Sequence, residues 1–206
     1  MNVYDFDKTI YDGDSTADFI FFCIKRHPKT LLNLSLTAWS YLLYITGIYS
    51  KTRFKENMYR FLVYISDIDG ELEKFWSVHK KKIKKWYFEQ KREDDLIISA
   101  SPEFLLKPVC RELRVSLIAS VVDKKNGKYT GENCHGAEKV RRMYEKIPNP
   151  RVEEFYSDSL SDTPLAEEAE RAFLVNGNKR VPWDFSQTDF KSGFCFTGKT
   201  DEESTE

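Results

Sequence analysis

Asn2-Val3-Tyr4-Asp5-Phe6-Asp7-Lys8-Thr9 reads as a short strand that ends in two carboxylates. In extended chain, alternate side chains share a face, so Asp5 and Asp7 point the same way. At the carboxyl end of a parallel strand such a pair meets in the ligand crevice. Paired acids there suit a hard cation such as Mg²⁺, together with nucleophilic or acid–base work. Standing alone, an Asp-x-Asp beside a turn equally describes a solvated loop.

Three other stretches have the same character. Leu96-Ile97-Ile98-Ser99 is an apolar run ending on a hydroxyl, and Ser101-Pro102 then opens a helix. Hydroxyls and free N–H groups before a helix hold phosphate, although the same serines also serve as N-caps. In Gly136-Ala137-Glu138-Lys139-Val140 a lysine stands at a helix start, where acids are normally preferred. It is either a surface residue or a group placed for an anion. Tyr156-Ser157-Asp158-Ser159-Leu160-Ser161-Asp162 again sets two acids at the end of a strand, with Asp162 also able to cap the helix that Pro164 begins. Acid pair, serine, lysine, acid pair, with three of the four at strand ends, is an order that chance rarely produces.

Between the first two motifs the texture is helical. Periodicity predicts helices near 15–27, 30–47, 51–65 and 69–91, punctuated by Pro28, Gly47 and the Asp67–Gly70 turn. After Arg92, strands and helices alternate: helix 102–113, strand 115–122, helix 136–146, strand 153–157, helix 163–171 and strand 172–175. Asn126-Gly127 reads as a hairpin turn leading to 128–132. The expected fold class is α/β, a Rossmann-like parallel sheet covered on both faces, with an inserted all-helical unit. The domains expected are 1–13 plus 93–206 for the core and 14–92 for the insert. The polar tail from about Ser186 is read as partly disordered, most of all beyond about Gly198.

Charge supports the division. The chain's net charge of −1 conceals an excess of +7 in 14–92 and −8 in the remainder. With 41% apolar and 15% aromatic residues the chain buries a real core, which excludes general disorder. A pI near 6.4 argues against a globally basic nucleic-acid binder. Cys23, Cys110, Cys134 and Cys195 are scattered, so neither a zinc site nor a disulfide framework follows, and a reducing cytosol is expected. No secretory signal is visible at Met1. The uncharged run Thr30–Ser50 is interrupted by Asn33, Ser35, Thr37, Ser40 and Thr46, which makes it a buried or surface-docking helix rather than a spanning one. His27 and His79 lack ligand spacing. His135, close to Lys139, is a candidate to line the site. Trp39, Trp76, Trp86, Tyr41 and Tyr44 are read as packing within the helical insert, and Trp183 as core packing.

The four motifs, in this order, resemble the haloacid dehalogenase superfamily of phosphohydrolases over most of residues 1–176. The insert after the first motif resembles the cap of its phosphoserine-phosphatase-like subfamily. Ile98–Pro102, Leu117–Ser120, Glu138–Val140 and Tyr156–Ser159 resemble segments of the phosphatidylglycerophosphatase C family, which acts on a lipid phosphate at the inner face of the membrane. Two departures stand out. Ser157 occupies a position where the fourth motif usually has glycine, and Asp14 stands where phosphoserine phosphatases have a longer glutamate. The resemblance implies a Mg²⁺-dependent phosphomonoester hydrolase with Asp5 as nucleophile and Asp7 as acid and then base. It implies Ser99, Ser101, Thr9 and Lys139 around the phosphoryl group, and a metal set drawn from Asp5, Asp7, Asp158 and Asp162. Asp162 in particular is expected to orient bound water or Lys139. The basic residues Lys25, Arg26, Lys29, Lys51, Arg53 and Lys55, and the cluster from His79 to Trp86, suit either a solvated face or peripheral contact with an anionic membrane. The implied location is the cytoplasm, at the inner membrane face. Hydrolysis of a soluble phosphorylated amino acid or sugar, phosphoryl transfer to an acceptor, and phosphate binding without turnover remain alternatives, and no nucleic-acid recognition motif is present.

Overall fold

The structure, a computed structural model, describes residues 1–187. The tail read as disordered therefore lies, from residue 188 on, outside the described residues, together with Cys195. Its first residues form a 3₁₀ turn, Phe185–Gln187. The remaining three cysteines are free and buried.

Strand β1 (Asn2–Tyr4) leads into helices α1 (Ser15–Arg26), α2 (Leu34–Ile45), α3 (Lys51–Tyr59), α4 (Ile68–His79) and α5 (Lys85–Gln90). Then follow β2 (Leu96–Pro102), α6 (Glu103–Leu113), β3 (Ser116–Ser120), α7 (Ala137–Lys146), β4 (Val152–Ser157), α8 (Thr163–Ala166), β5 (Ala169–Asn176) and β6 (Lys179–Pro182). The sheet order is β3-β2-β1-β4-β5-β6, parallel except for β6. Chain order therefore reverses at β1, with β2 on one side and β4 on the other. That is the switch point at which open α/β sheets bind ligands.

Alternation along the strands divides the core. Val3, Leu96, Ile98 and Phe155 face a cluster with Met143, Leu165 and Trp183. Tyr4, Ile97 and Tyr156 face the larger cluster, which also holds Phe75, Trp76, Trp86, Tyr87 and Leu106. On that face the rings of Tyr4, Tyr156 and Phe173 stack across three adjacent strands at 5.0 Å centroid spacings. The inserted helices thus share one hydrophobic core with the sheet, and Trp76 Nε1 donates to the Leu105 carbonyl of α6 at 2.7 Å.

Several expectations shift in detail. The helix read over 69–91 breaks after a 3₁₀ turn at Lys80–Lys82. Ile83 and Lys84 are extended, with Ile83 bridged to Tyr11 and Lys84 N donating to the Ile10 carbonyl at 2.8 Å. Burying this pair against the first-motif loop outweighs continuing the helix. The lysine cluster is accordingly no uniform solvated face: Lys80 pairs with Glu112, Lys82 with Asp18, and Lys84 is buried. The helix expected at 163–171 stops at Ala166, because Ala169–Arg171 already belong to β5. Asn126-Gly127 makes a tight turn closed by Asp123 and Lys128, with a single bridge between Val122 and Tyr129 rather than a strand pair. The true hairpin turns at Gly177-Asn178, joining β5 to β6 with Asn176 paired to Lys179 and Gly177 at φ +60°. Trp76, Trp86 and Trp183 are buried as expected, whereas Trp39 is 61% and Tyr41 50% exposed.

Glu71 on α4 clamps the end of α1. Arg26 Nε reaches its Oε2 at 2.5 Å and Lys74 Nζ its Oε1 at 2.9 Å, with His27 at 3.6 Å. The Arg26 hydrogen bond, acting against burial, holds this carboxyl down at about 2. A depressed carboxyl stabilises the fold above its unfolded value and loses that contribution as it becomes protonated. Glu71→Gln is expected to cost about 1–2 kcal/mol near neutral pH, discounted for the exposed partners. Denaturant titrations of both proteins should show the difference shrinking as pH falls from about 4.5 toward about 2; a difference that is constant across this window contradicts the clamp.

Candidate active site

The first motif leaves the sheet in a tightly wound loop. Asp5 N extends the β1–β4 ladder by donating to the Tyr156 carbonyl at 2.9 Å. The Phe6 carbonyl then accepts from both Ile10 N and Tyr11 N, and Lys8 takes φ +56° while donating to the Gly13 carbonyl. A left-handed non-glycine residue costs free energy and tends to mark functional loops. The buried Lys84 holds this one in place, its Nζ donating to the carbonyls of Lys8 at 2.5 Å and Gly177 at 2.6 Å. Phe6 is buried in the core, and Asp5 and Asp7 both face a cavity of about 390 Å³ at the carboxyl ends of the strands.

At the floor of that cavity Lys139 Nζ donates to Asp5 Oδ1 and to Asp162 Oδ2, each at 2.7 Å. Lys139 comes from the first turn of α7, which starts at Gly136 with φ +60°, and is only 1% exposed. Burial opposes its charge, but Asp5 and Asp162 outweigh that and hold the ammonium protonated well above the ordinary lysine range. Burial likewise pushes the Asp5 carboxyl up, and Lys139 draws it back. Asp162 accepts a further hydrogen bond from Ser157 Oγ at 2.7 Å, and Ser157 Oγ accepts from Ser159 N at 3.2 Å. The serine at the usual glycine position therefore supplies a donor that steadies Asp162.

Asp7 is held from the other side. Ser15 N, at the start of α1, donates to its Oδ1 at 2.6 Å, and Ser101 Oγ to its Oδ2 at 2.5 Å. Burial, with Asp14 adding to it, pushes Asp7 up to about 6. Asp14 itself N-caps α1 through Ala17 N and also faces the cavity. Ser99 is buried on the cavity wall, its Oγ accepting from Ser101 N at 3.2 Å. Asp158 lines the cavity too, and burial raises its carboxyl. Thr9 is off the cavity wall: it is fully buried, and its Oγ1 accepts from Asp158 N at 3.0 Å, tying the first-motif loop to the fourth.

A basic wall faces these acids. Lys55 Nζ bonds to the Ala100 carbonyl and Asn133 Oδ1, each at 3.2 Å, and burial, with Lys51 nearby, brings it down to about 8. His135 lines the same wall and is lowered by burial and then by Lys51. Sequence reading marked Lys51 and Lys55 only as charge flanking an apolar helix. Their four-residue spacing on α3, with Phe54 and Met58 beside them, was the available signal for one cavity-facing side.

The carboxylates of Asp5 and Asp158 line the cavity and offer hard oxygens. Such a set suits Mg²⁺. Among the described residues no three His, Cys, Asp or Glu side chains gather as a metal-holding group.

The model of the haloacid dehalogenase-like hydrolases matches residues 3–167. A protein of unknown function from Bordetella pertussis Tohama I superposes with a TM-score of 0.64 at 20% identity, covering 84% of this chain and 87% of that one. A phosphoserine phosphohydrolase-like protein from Francisella tularensis subsp. tularensis SCHU S4 aligns with a TM-score of 0.49 at 15% identity over 84% of this chain and 86% of that one. No curated protein matches the sequence. With a family match spanning all four motifs and the fold shared with the Bordetella protein, the chain belongs to the haloacid dehalogenase-like hydrolase family.

Proposed function

We propose that this hydrolase is a phosphatase that cleaves a phosphomonoester through an aspartyl-phosphate on Asp5, and that its substrate is a lipid phosphate such as phosphatidylglycerol phosphate. The observation that carries the chemistry is the buried Asp5 carboxylate gripped by Lys139 at the floor of the cavity, with Asp7 fixed beside it by Ser15 and Ser101. In this reading Asp5 attacks phosphorus and the ester oxygen departs with the proton that Asp7 delivers. Asp7 then takes a proton from the water that hydrolyses the acyl phosphate. A carboxyl raised to about 6 suits a group that must give and then take a proton near neutrality. Ser99, Ser101 and Lys139 hold the phosphoryl oxygens, with Lys139 kept cationic by Asp162. Mg²⁺, held by Asp5, Asp158 and the Asp7 carbonyl, would supply the charge that lets a carboxylate approach a phosphate. Thr9 positions the loops rather than the substrate.

Residues 14–92 act as the cap that selects the leaving group. The lipid part of the proposal rests on α2 and its flanks. Leu31, Leu32, Leu34, Trp39, Leu42, Ile45 and Ile48 are all exposed, Leu32 by 67%, and exposed Lys25, Lys29, Lys51 and Arg53 border them. No helix among the described residues is long and apolar enough to cross a membrane. An apolar helix edged with lysines instead suits peripheral contact with anionic lipid, which for a cytoplasmic protein means the inner face.

Phosphate release from phosphatidylglycerol phosphate, phosphatidic acid, phosphoserine and sugar phosphates tests the chemistry and the substrate together. Release should require Mg²⁺, stop on chelation, and vanish in Asp5→Asn. Lys139→Met should lower kcat by about 10²–10³ in protein whose circular dichroism is unchanged. Preference for phosphoserine or a sugar phosphate would move the assignment to a soluble metabolite.

Membrane contact has its own assay. The protein should sediment with vesicles containing phosphatidylglycerol and do so less at high salt. Replacing Trp39 and Leu42 together by serine should weaken this about tenfold. Equal recovery in the supernatant with and without vesicles would remove the membrane from the proposal.

A further inference from the structure

A second depression adjoins the catalytic cavity, a groove of about 190 Å³ between α1, α2 and α3. Ala17, Ile20 and Met58 belong to both, so the two spaces meet along one apolar edge. Phe21, Ile24, Leu34 and Phe61 continue the groove away from the acids. Its polar members are occupied inside the protein. Thr30 Oγ1 donates to the His27 carbonyl at 2.7 Å, and Thr37 Oγ1 to the Asn33 carbonyl at 2.9 Å. Asn33 Nδ2 donates to the carbonyls of Asn57 at 2.9 Å and Met58 at 3.2 Å. What faces the groove is therefore hydrocarbon, with little to offer a sugar hydroxyl, an amine or a carboxylate. Phe21 and Leu34 at its rim are exposed, and they lead onto the apolar surface of α2.

We infer that this groove is a hydrocarbon-chain subsite: it takes one aliphatic chain of the molecule whose phosphate sits at Asp5. The chain runs past Ile20 and Met58, lies between α1 and α2, and leaves over Leu34. Continuity with the catalytic cavity selects this occupant, because a chain covalently joined to the phosphate enters the groove without a second binding event. The inference deepens the lipid-phosphate reading and rests on it. It also assigns the choice of chain to residues apart from the acids that perform the chemistry.

Binding of non-hydrolysable alkylphosphonates tests the groove without needing turnover. Methyl-, butyl-, hexyl-, octyl- and decylphosphonate would be titrated calorimetrically into the protein with magnesium chloride present. Kd should fall roughly two- to fourfold per added methylene and then level off once the groove is filled. Ile24→Trp and Leu34→Trp, which fill it from different helices, should each cut the decyl-to-methyl affinity ratio about tenfold or more. Equal Kd across the series, no binding of any phosphonate, or an unchanged ratio in both folded variants overturns the subsite. Hydrolysis of para-nitrophenyl phosphate, measured in parallel, keeps the two ideas separable. Chain-dependent binding without hydrolysis sinks the phosphatase and leaves the groove standing. Hydrolysis with chain-independent binding does the reverse.

Discussion

A single ammonium group shared by two carboxylates organises the molecule. Lys139 arrives from α7, Asp5 from the end of β1 and Asp162 from the turn after β4, and the three meet, largely buried, at the floor of the cavity. Removing the lysine would leave two buried carboxylates without a counter-charge, which is far costlier than the net worth of an intact pair. The cluster thus ties three backbone segments together at one point. β1 lies between β2 and β4, and α7 opens on a glycine at φ +60°, so Lys139 in its first turn meets the acids at the strand ends.

The same economy of polar groups extends outward. Ser157 steadies Asp162, Thr9 ties Asp158 to the first loop, Ser101 and Ser15 fix Asp7, and Lys84 holds the strained Lys8 carbonyl. Three of these five groups are short hydroxyl side chains, which reach only what the backbone has already brought near. The loop geometry and the hydrogen bonds thus depend on each other. A serine in the fourth motif, at first sight a departure, makes the arrangement more closed.

How much of this was legible in the sequence follows from the range of each interaction. The strand ends and the acid pairs could be read because a buried parallel strand is a short apolar run and its motif follows directly in sequence. The end of the helix over 69–91 could not, because it is decided by contacts of Ile83 and Lys84 with the first-motif loop far away in the chain. The turn read at Asn126-Gly127 is closed by a single bridge between Val122 and Tyr129, whereas Gly177-Asn178 returns the chain along β5 as a full strand. The exposure of Trp39 was invisible for a different reason. Apolar content predicts burial only when a partner surface exists, and α2 lies at the periphery with Ser40 as its only buried residue. The basic wall was likewise hidden, since Lys51 and Lys55 acquire their meaning only when α3 is set opposite the carboxylates.

The cavity that results has three chemically different sides. Its floor is acidic and hydrogen-bonded, its opposing wall carries Lys51, Lys55 and His135, and its flank at Ile20 and Met58 is apolar. A small polar metabolite would satisfy the first two and leave the third facing water. An amphiphile satisfies all three, with its phosphate at the floor, further anionic character toward the lysines and its chain along the flank. The exposed apolar residues of α2 continue from the groove, which shares Leu34 with them. On the proposed lipid-phosphate reading, groove and helix face form one continuous apolar surface leading away from the acids.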